Sequence, residues 1–143
     1  MFIGEYNYNL DDKNRLAVPT KFRKFFNDGA IITKGLDNCL FIYTKKEWDK
    51  LVKRLADLPI SQAKSRAFSR LMLAGAMDVN VDKQGRMIMP DYLKKFAGLN
   101  KKIILAGLYN RLEVWDEKVW NKYQSVTDKD SGDIAEGLVD LGI

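Results

Sequence analysis

Apolar and polar positions alternate in short runs along this chain, and the order of the runs occurs twice. Tyr6 to Leu10 alternates in part, as a strand does. A polar loop follows, then a short apolar strand, Leu16–Val18, closed by Pro19. Proline has no N–H and fits the first turn of a short helix, which would carry Phe22 and Phe25 at i and i+3. Two more strands are predicted around Ala30–Thr33 and Leu40–Tyr43. A helix then starts at Thr44 with Glu47 three residues on, the pattern of a capping box. It lays Trp48, Leu51, Val52 and Leu55 along one face, and Pro59 stops it. The second pass reads Met77–Val81, a polar loop, Met87–Met89, Pro90, and a short helix with Leu93 and Phe96. Strands at Ile103–Ala106 and Leu112–Trp115 follow, then a helix from Asp116 carrying Trp120 and Tyr123. Ser61–Ala76, with Phe68, Leu71, Met72 and Gly75, predicts a packed connecting helix. The glycine-bearing tail after Ser125 predicts at most a marginal helical turn near Ile134–Leu141.

The two passes align residue by residue. Asp11, Arg15, Pro19 and Phe25 recur as Asp82, Arg86, Pro90 and Phe96, all at an offset of 71. The offset then becomes 72, as if one residue were inserted: Gly35-Leu36 falls on Gly107-Leu108, Leu40 on Leu112, Tyr43 on Trp115 and Trp48 on Trp120. A module of about 45 residues buries little surface and leaves sheet edges open, so one copy needs the other. Tandem duplication supplies the partner, and an α+β fold of two copies packed about a pseudo-twofold axis is expected. The organisation expected is a module over residues 5–47, a helical connector over 48–75, a second module over 76–119, and a helical, acidic tail over 120–143.

The two loops carry the candidate chemistry. They read Asp11-Asp12-Lys13-Asn14-Arg15 and Asp82-Lys83-Gln84-Gly85-Arg86. Asn14 aligns with Gly85, and these residue types most readily accept a positive φ, so each loop predicts a tight hairpin with a bulge just before the arginine. Asp11 and Asp82 are placed to accept loop N–H groups, with Asn14 and Gly85 as the other loop-structuring positions. Lys13, Lys21, Arg23 and Lys24 flank Arg15; Lys83, Lys94 and Lys95 flank Arg86. An arginine held rigid by its own loop and ringed by bases suits phosphate contacts and bidentate guanine contacts. Arg15, Arg86, Lys13, Lys83, Lys21, Arg23 and Lys24 are therefore the candidate DNA-binding residues. The loops differ: Asp12 stands where the second has Lys83, so unequal contributions are expected. A further basic stretch, Lys45 to Arg70, lies mostly opposite apolar helix faces and reads as solvated surface.

Charge distribution sharpens this picture. The net charge is +5, but residues 1–72 hold 14 bases against 8 acids, whereas 113–143 hold 3 against 8. A basic first half beside an acidic tail suggests a polyanion-binding face. There is no histidine, which removes Ser-His and Cys-His catalysis and the usual zinc sets. The single cysteine, Cys39, cannot form an internal disulfide and reads as a buried thiol in a reducing compartment. No apolar run approaches the roughly 20 residues of a membrane span, and the start, Met1 to Glu5, meets an acid at once, so no secretory leader is expected.

The duplicated Asp-x-x-x-Arg loop, the apolar-Pro step after it, and Leu108 with Leu112-Glu113-Val114-Trp115 resemble the MraZ family of bacterial transcriptional regulators, whose modules are similar to the SpoVT-AbrB DNA-binding domain. The resemblance runs from Met1 to about Tyr123. It implies two swapped-hairpin, AbrB-like β-barrel modules with packing helices, assembly of a homo-oligomer into rings, and a cytoplasmic, nucleoid-associated protein. It also implies binding of double-stranded DNA at tandem repeats in the promoter of the division and cell-wall gene cluster. The motif carries over to Asp11, Arg15, Asp82 and Arg86.

Two other classes compete. One is a non-catalytic oligomeric protein-interaction module with an incidental basic surface, which an exposed apolar helix in Ser61–Ala76 would favour. The other is an enzyme with Asp11 and Asp82 sharing a metal, but carboxylates paired with loop arginines make poor metal sites, and no nucleophile or phosphate-cradling motif is present. No catalytic residue, metal, cofactor, small-molecule substrate or membrane partner is expected.

Overall fold

The computed structural model describes residues 1–143. Its first half runs through β1 (Phe2–Asn9), β2 (Arg15–Ala17), a 3-10 helix (Thr20–Phe26), β3 (Ala30–Lys34), β4 (Leu40–Tyr43) and α1 (Lys45–Ala56). The connector is α2 (Ala63–Ser69) continued by one π-helical turn, Arg70–Ala74. The second half runs through β5 (Met77–Val79), β6 (Arg86–Ile88), α3 (Asp91–Phe96), β7 (Lys102–Tyr109), β8 (Leu112–Asp116) and α4 (Glu117–Lys129). The tail forms α5 (Ser131–Glu136) and a 3-10 turn, Val139–Leu141. Both closing helices start on side-chain caps that satisfy otherwise orphaned N–H groups. The Thr44 hydroxyl accepts from Glu47 N–H at 3.1 Å, and the Asp116 carboxylate accepts from Lys118 N–H at 3.2 Å.

The fold is α+β with antiparallel pairing throughout. Six strands form one sheet in the order β1-β7-β8-β4-β3-β5, and β2 pairs with β6 in a separate two-stranded ribbon. The copies are interleaved: β1 of the first lies on β7 of the second, and β5 of the second lies on β3 of the first. The ribbon register is symmetric under exchange of the copies. Leu16 pairs with its own counterpart Met87, Arg15 with Ile88, and Ala17 with Arg86. Pairing of β4 with β8 is symmetric as well, about Phe41 and Glu113.

Register also refines the repeat. Ile32 pairs with Ile42 across β3–β4, and Leu105 with Val114 across β7–β8, so Leu105 is the structural counterpart of Ile32, an offset of 73. The second copy holds one more extra residue ahead of β7 than the aligned letters suggest, and one fewer in its hairpin turn. Gly107 therefore sits at the position of Lys34, and the Gly35–Gly107 match is one of letters, not of place.

Strand alternation builds a core on each side of the sheet. Ile32, Leu40, Ile42, Ile103, Leu105 and Val114 face the ribbon and the short helices, where Leu16, Phe22, Phe26, Met87 and Leu93 close over them. Phe41, Tyr43, Ile104 and Trp115 face the other way, under Leu55 and Met72, with Trp48, Phe68, Val119 and Trp120 at the rim. Both faces are covered, which is why β4 and β8 read as unbroken buried runs. Cys39 is buried there, its thiol donating to Leu36 O, and burial pushes it up to about 12. The Thr33 hydroxyl donates to Met72 O at 2.6 Å, tying the π turn to β3.

The short helices present a different pair inward from the one their letters predict. Phe22 with Phe26, and Leu93 with Ala97, are buried; Phe25 and Phe96 are exposed. In the second copy Phe96, the last residue of α3, turns to the rim, and the C-cap residue Ala97 packs inward beside Leu93. In the first copy Phe2 stacks on Phe26 and meets Phe22 and Phe25 edge-on, taking the space Phe25 would fill.

Candidate nucleic-acid interface

Each Asp-x-x-x-Arg loop is a three-residue hairpin turn with a bulge. Asn14 N–H donates to Asp11 O at 3.0 Å and Asp11 N–H to Arg15 O at 3.2 Å; in the second loop Gly85 N–H donates to Asp82 O at 2.9 Å and Asp82 N–H to Arg86 O at 2.8 Å. The bulge residue is left-handed in both, with φ 58° at Asn14 and 76° at Gly85. One carboxylate oxygen of Asp11 accepts from the N–H groups of Lys13 and Arg15, and Asp82 does the same for Gln84 and Arg86. The other oxygen takes the arginine Nε, at 2.5 Å for Arg15 and 3.0 Å for Arg86. In each case the arginine backbone N–H, ahead of its side chain, holds the carboxyl below the usual carboxylate range against the opposing cost of desolvation.

The strands that leave these turns do not stay with the strands that enter them. β2 and β6 pair with each other, and the loops are stitched across the copies: Met89 N–H donates to Asn14 O at 2.7 Å, and Val18 N–H to Gly85 O at 2.8 Å. Positions two apart on one strand, and positions paired across an antiparallel ribbon, share a face. Arg15, Ala17, Arg86 and Ile88 therefore lie on the outer face of the ribbon, while Leu16 and Met87 are sealed beneath it. The arginines sit on the diagonal of this face, roughly 7–8 Å apart at the backbone. Aspartate occupies Nε alone in each, leaving the two terminal nitrogens of each guanidinium for a ligand.

The flanking bases divide. Lys13 and Lys83 are exposed at the loop tips. Lys21 Nζ lies 4.8 Å from the centroid of Tyr6 and Lys24 Nζ 5.2 Å from that of Phe25, on the aromatic cluster around Phe2. Arg23 is half-buried: its Nε donates to Val18 O at 3.0 Å and its side chain fills the space where Gly85 would carry a Cβ. Lys94, its counterpart, does the same service for the other loop, donating to Asn14 Oδ1 at 3.0 Å. Each short helix thus supports the loop of the opposite copy, and Lys94, beside Arg86 in sequence order, belongs to the Arg15 loop. Sequence reasoning passed over Ala17 and Ile88, the non-arginine positions of the outer face. The signal was an apolar residue alternating with Arg86 around the buried Met87.

The acids do not gather: no three Asp, Glu, Cys or His side chains come together as a metal site would require, and Asp11 and Asp82 are each engaged by their own arginine. No helix is long and apolar enough to cross a membrane.

Comparison with known proteins matches the chain twice to the family described as MraZ protein, over residues 1–71 and 72–141. Full-length relatives carry the same name. The transcriptional regulator MraZ of Natranaerobius thermophilus is 42% identical over 143 residues, all of both chains. That of Desulforamulus reducens is 42% identical over 141 residues, 99% of each chain, and that of Clostridium tetani is 44% identical over 143 residues, all of both.

Proposed function

Because the chain belongs to the MraZ family, we propose that it is a sequence-specific DNA-binding transcriptional regulator whose β2–β6 ribbon enters the DNA major groove. One observation carries this reading: the symmetric register sets both loop arginines on one outward face. A major groove about 12 Å wide admits a two-stranded ribbon, and guanidinium groups aimed from it can pair bidentately with guanine or with phosphate. Lys13 and Lys83 at the loop tips reach phosphates beside the groove. Arg23 acts as a loop support, and Lys21 and Lys24 contribute field more than contact.

In this reading residues 5–47 and 76–119 are the two modules, joined by the 48–75 connector and followed by the 120–143 tail. The exchange of β2 and β6 between them supports a swapped-hairpin, AbrB-like pair of half-barrels. Copies join as a ring, so that successive ribbons meet tandem repeats in the promoter of the division and cell-wall gene cluster, in the cytoplasm at the nucleoid. No cofactor or small-molecule substrate takes part. The test is binding of the DNA upstream of the protein's own gene over a salt series, beside scrambled DNA of the same composition. Preference for the upstream DNA with a steep salt dependence is expected. Equal binding to both would reduce the protein to a nonspecific basic one.

A further inference from the structure

The helical side of the molecule holds a groove that no chemistry above uses. It lies between the end of α1, the turn after it and α2, has a volume of about 340 Å³, and is floored by Leu55, Leu58, Ile60 and Leu73. Ile60 is 83% exposed, and Leu58 and Leu73 are exposed as well. Arg66 and Arg70 line the groove, and the chain around it is basic in sequence, with Lys53, Arg54 and Lys64 beside these two against a single acid, Asp57. Of these bases only Arg66 has a side-chain bond within the chain, to Ile60 O.

The C-terminal tail has the opposite charge. Residues 128–140 carry Asp128, Asp130, Asp133, Glu136 and Asp140 against one base, Lys129, and none of these acids pairs within the chain. Neither α5 nor the 3-10 turn after it has a buried residue. Ile134, Leu138 and Leu141, spaced four and three apart, fall along one side of a helical path, and Leu141 is 72% exposed. An apolar groove with a basic rim and an apolar helix with acidic flanks are complementary in both respects.

The geometry points to a docking contact in which the tail of one copy seats Ile134, Leu138 and Leu141 in the α1–α2 groove of a second copy, with Asp133 and Glu136 against Arg66 and Arg70. Groove and tail are different surfaces, so the contact is head-to-tail. Such contacts propagate from copy to copy and end in a closed ring when the rotation between copies closes, or in an open fibre when it does not. The inference rests on the reading of the protein as an assembly of copies, and names the surfaces that join them.

Sedimentation equilibrium of the full chain tests it, with a groove variant Lys64→Glu/Arg70→Glu and a tail variant Asp133→Lys/Glu136→Lys, both altering exposed residues. Wild type is expected to exceed a dimer. Each variant alone is expected to fall to monomer with unchanged helix content, and their equimolar mixture to regain the wild-type size, since each native tail then meets a native groove and each reversed tail a reversed groove. The chain carrying all four changes is expected to regain the wild-type size. A monomeric wild type would overturn the assembly reading itself. A wild type and tail variant of equal, larger size would overturn this contact and leave the assembly reading in place.

Discussion

Gly85→Ala isolates what the second loop asks of its backbone. Gly85 sits at φ 76°, and a Cβ there would run into the side chain of Arg23. A left-handed alanine costs about 1–2 kcal/mol, offset by roughly 0.4–1 kcal/mol because the unfolded chain loses freedom too. Displacing Arg23 also gives up its 3.0 Å bond to Val18 O, worth about 0.5–1.5 kcal/mol for a part-buried pair. The sum is a loss of about 2 kcal/mol, and roughly 5–8 °C in Tm for a chain near this size. Gly98→Ala is the matched control: φ is 60°, with nothing within 4 Å of the added Cβ, so it carries the backbone cost alone. Urea denaturation of both variants at one protein concentration, followed by circular dichroism, gives the difference. Gly85→Ala should be the less stable by about 1 kcal/mol, with an unchanged m-value. Equal stability of the two variants would refute the support that Arg23 gives the loop.

Other consequences follow from the same geometry. Leu16→Ala removes a buried side chain at the symmetry axis of the ribbon and should cost about 2–5 kcal/mol in denaturant unfolding. Asp11 and Asp82 have lowered carboxyl values in the folded chain, so their contribution to stability is complete above the unfolded value of about 3.9 and is lost as pH falls through the lowered folded values. Stability from the loops should therefore be flat from pH 7 to about 5 and decline on acidification below about 4, and Asp82→Asn should soften that decline in acid titrations. Cys39, buried and pushed up to about 12, should resist a disulfide-exchange reagent at pH 8 in the native chain and react at once in denaturant. Rapid labelling of the native protein would contradict its burial.

Local features were legible in the letters because their physics is local. Thr44 with Glu47, Asp116, and the Asn14–Gly85 match each depend on residues a turn away, and the caps and left-handed bulges fall where they point. The duplication was legible for the same reason. Pairing was not: nothing in Leu16 or Met87 says that they pair with each other, and a hairpin turn ordinarily returns a strand onto its own partner. Hence Arg23 and Lys94 read as neighbours of their own loops, while the crossing of β2 and β6 hands each to the other. The offset at β7 was hidden because Gly107 matches Gly35 by letter, and only hydrogen-bond register separates them. The outward face needed that register too, since Ile88 and Arg86 flank a buried Met87 and alternation alone does not say which partner strand completes the surface.

The central claim is that Arg15 and Arg86 touch the same DNA from one face. The direct measurement is the salt dependence of DNA binding for wild type, Arg15→Ala, Arg86→Ala and the double variant, with folding checked by circular dichroism. If each arginine meets a phosphate, each removal should lower the magnitude of the log K against log salt slope by about 0.9 per bound copy, and the double variant by about twice that. If each reads a guanine instead, affinity for the cognate site should fall by about 1–3 kcal/mol per arginine while scrambled DNA is little affected. Either pattern in both single variants supports the symmetric ribbon. Wild-type affinity and slope in the double variant would contradict it.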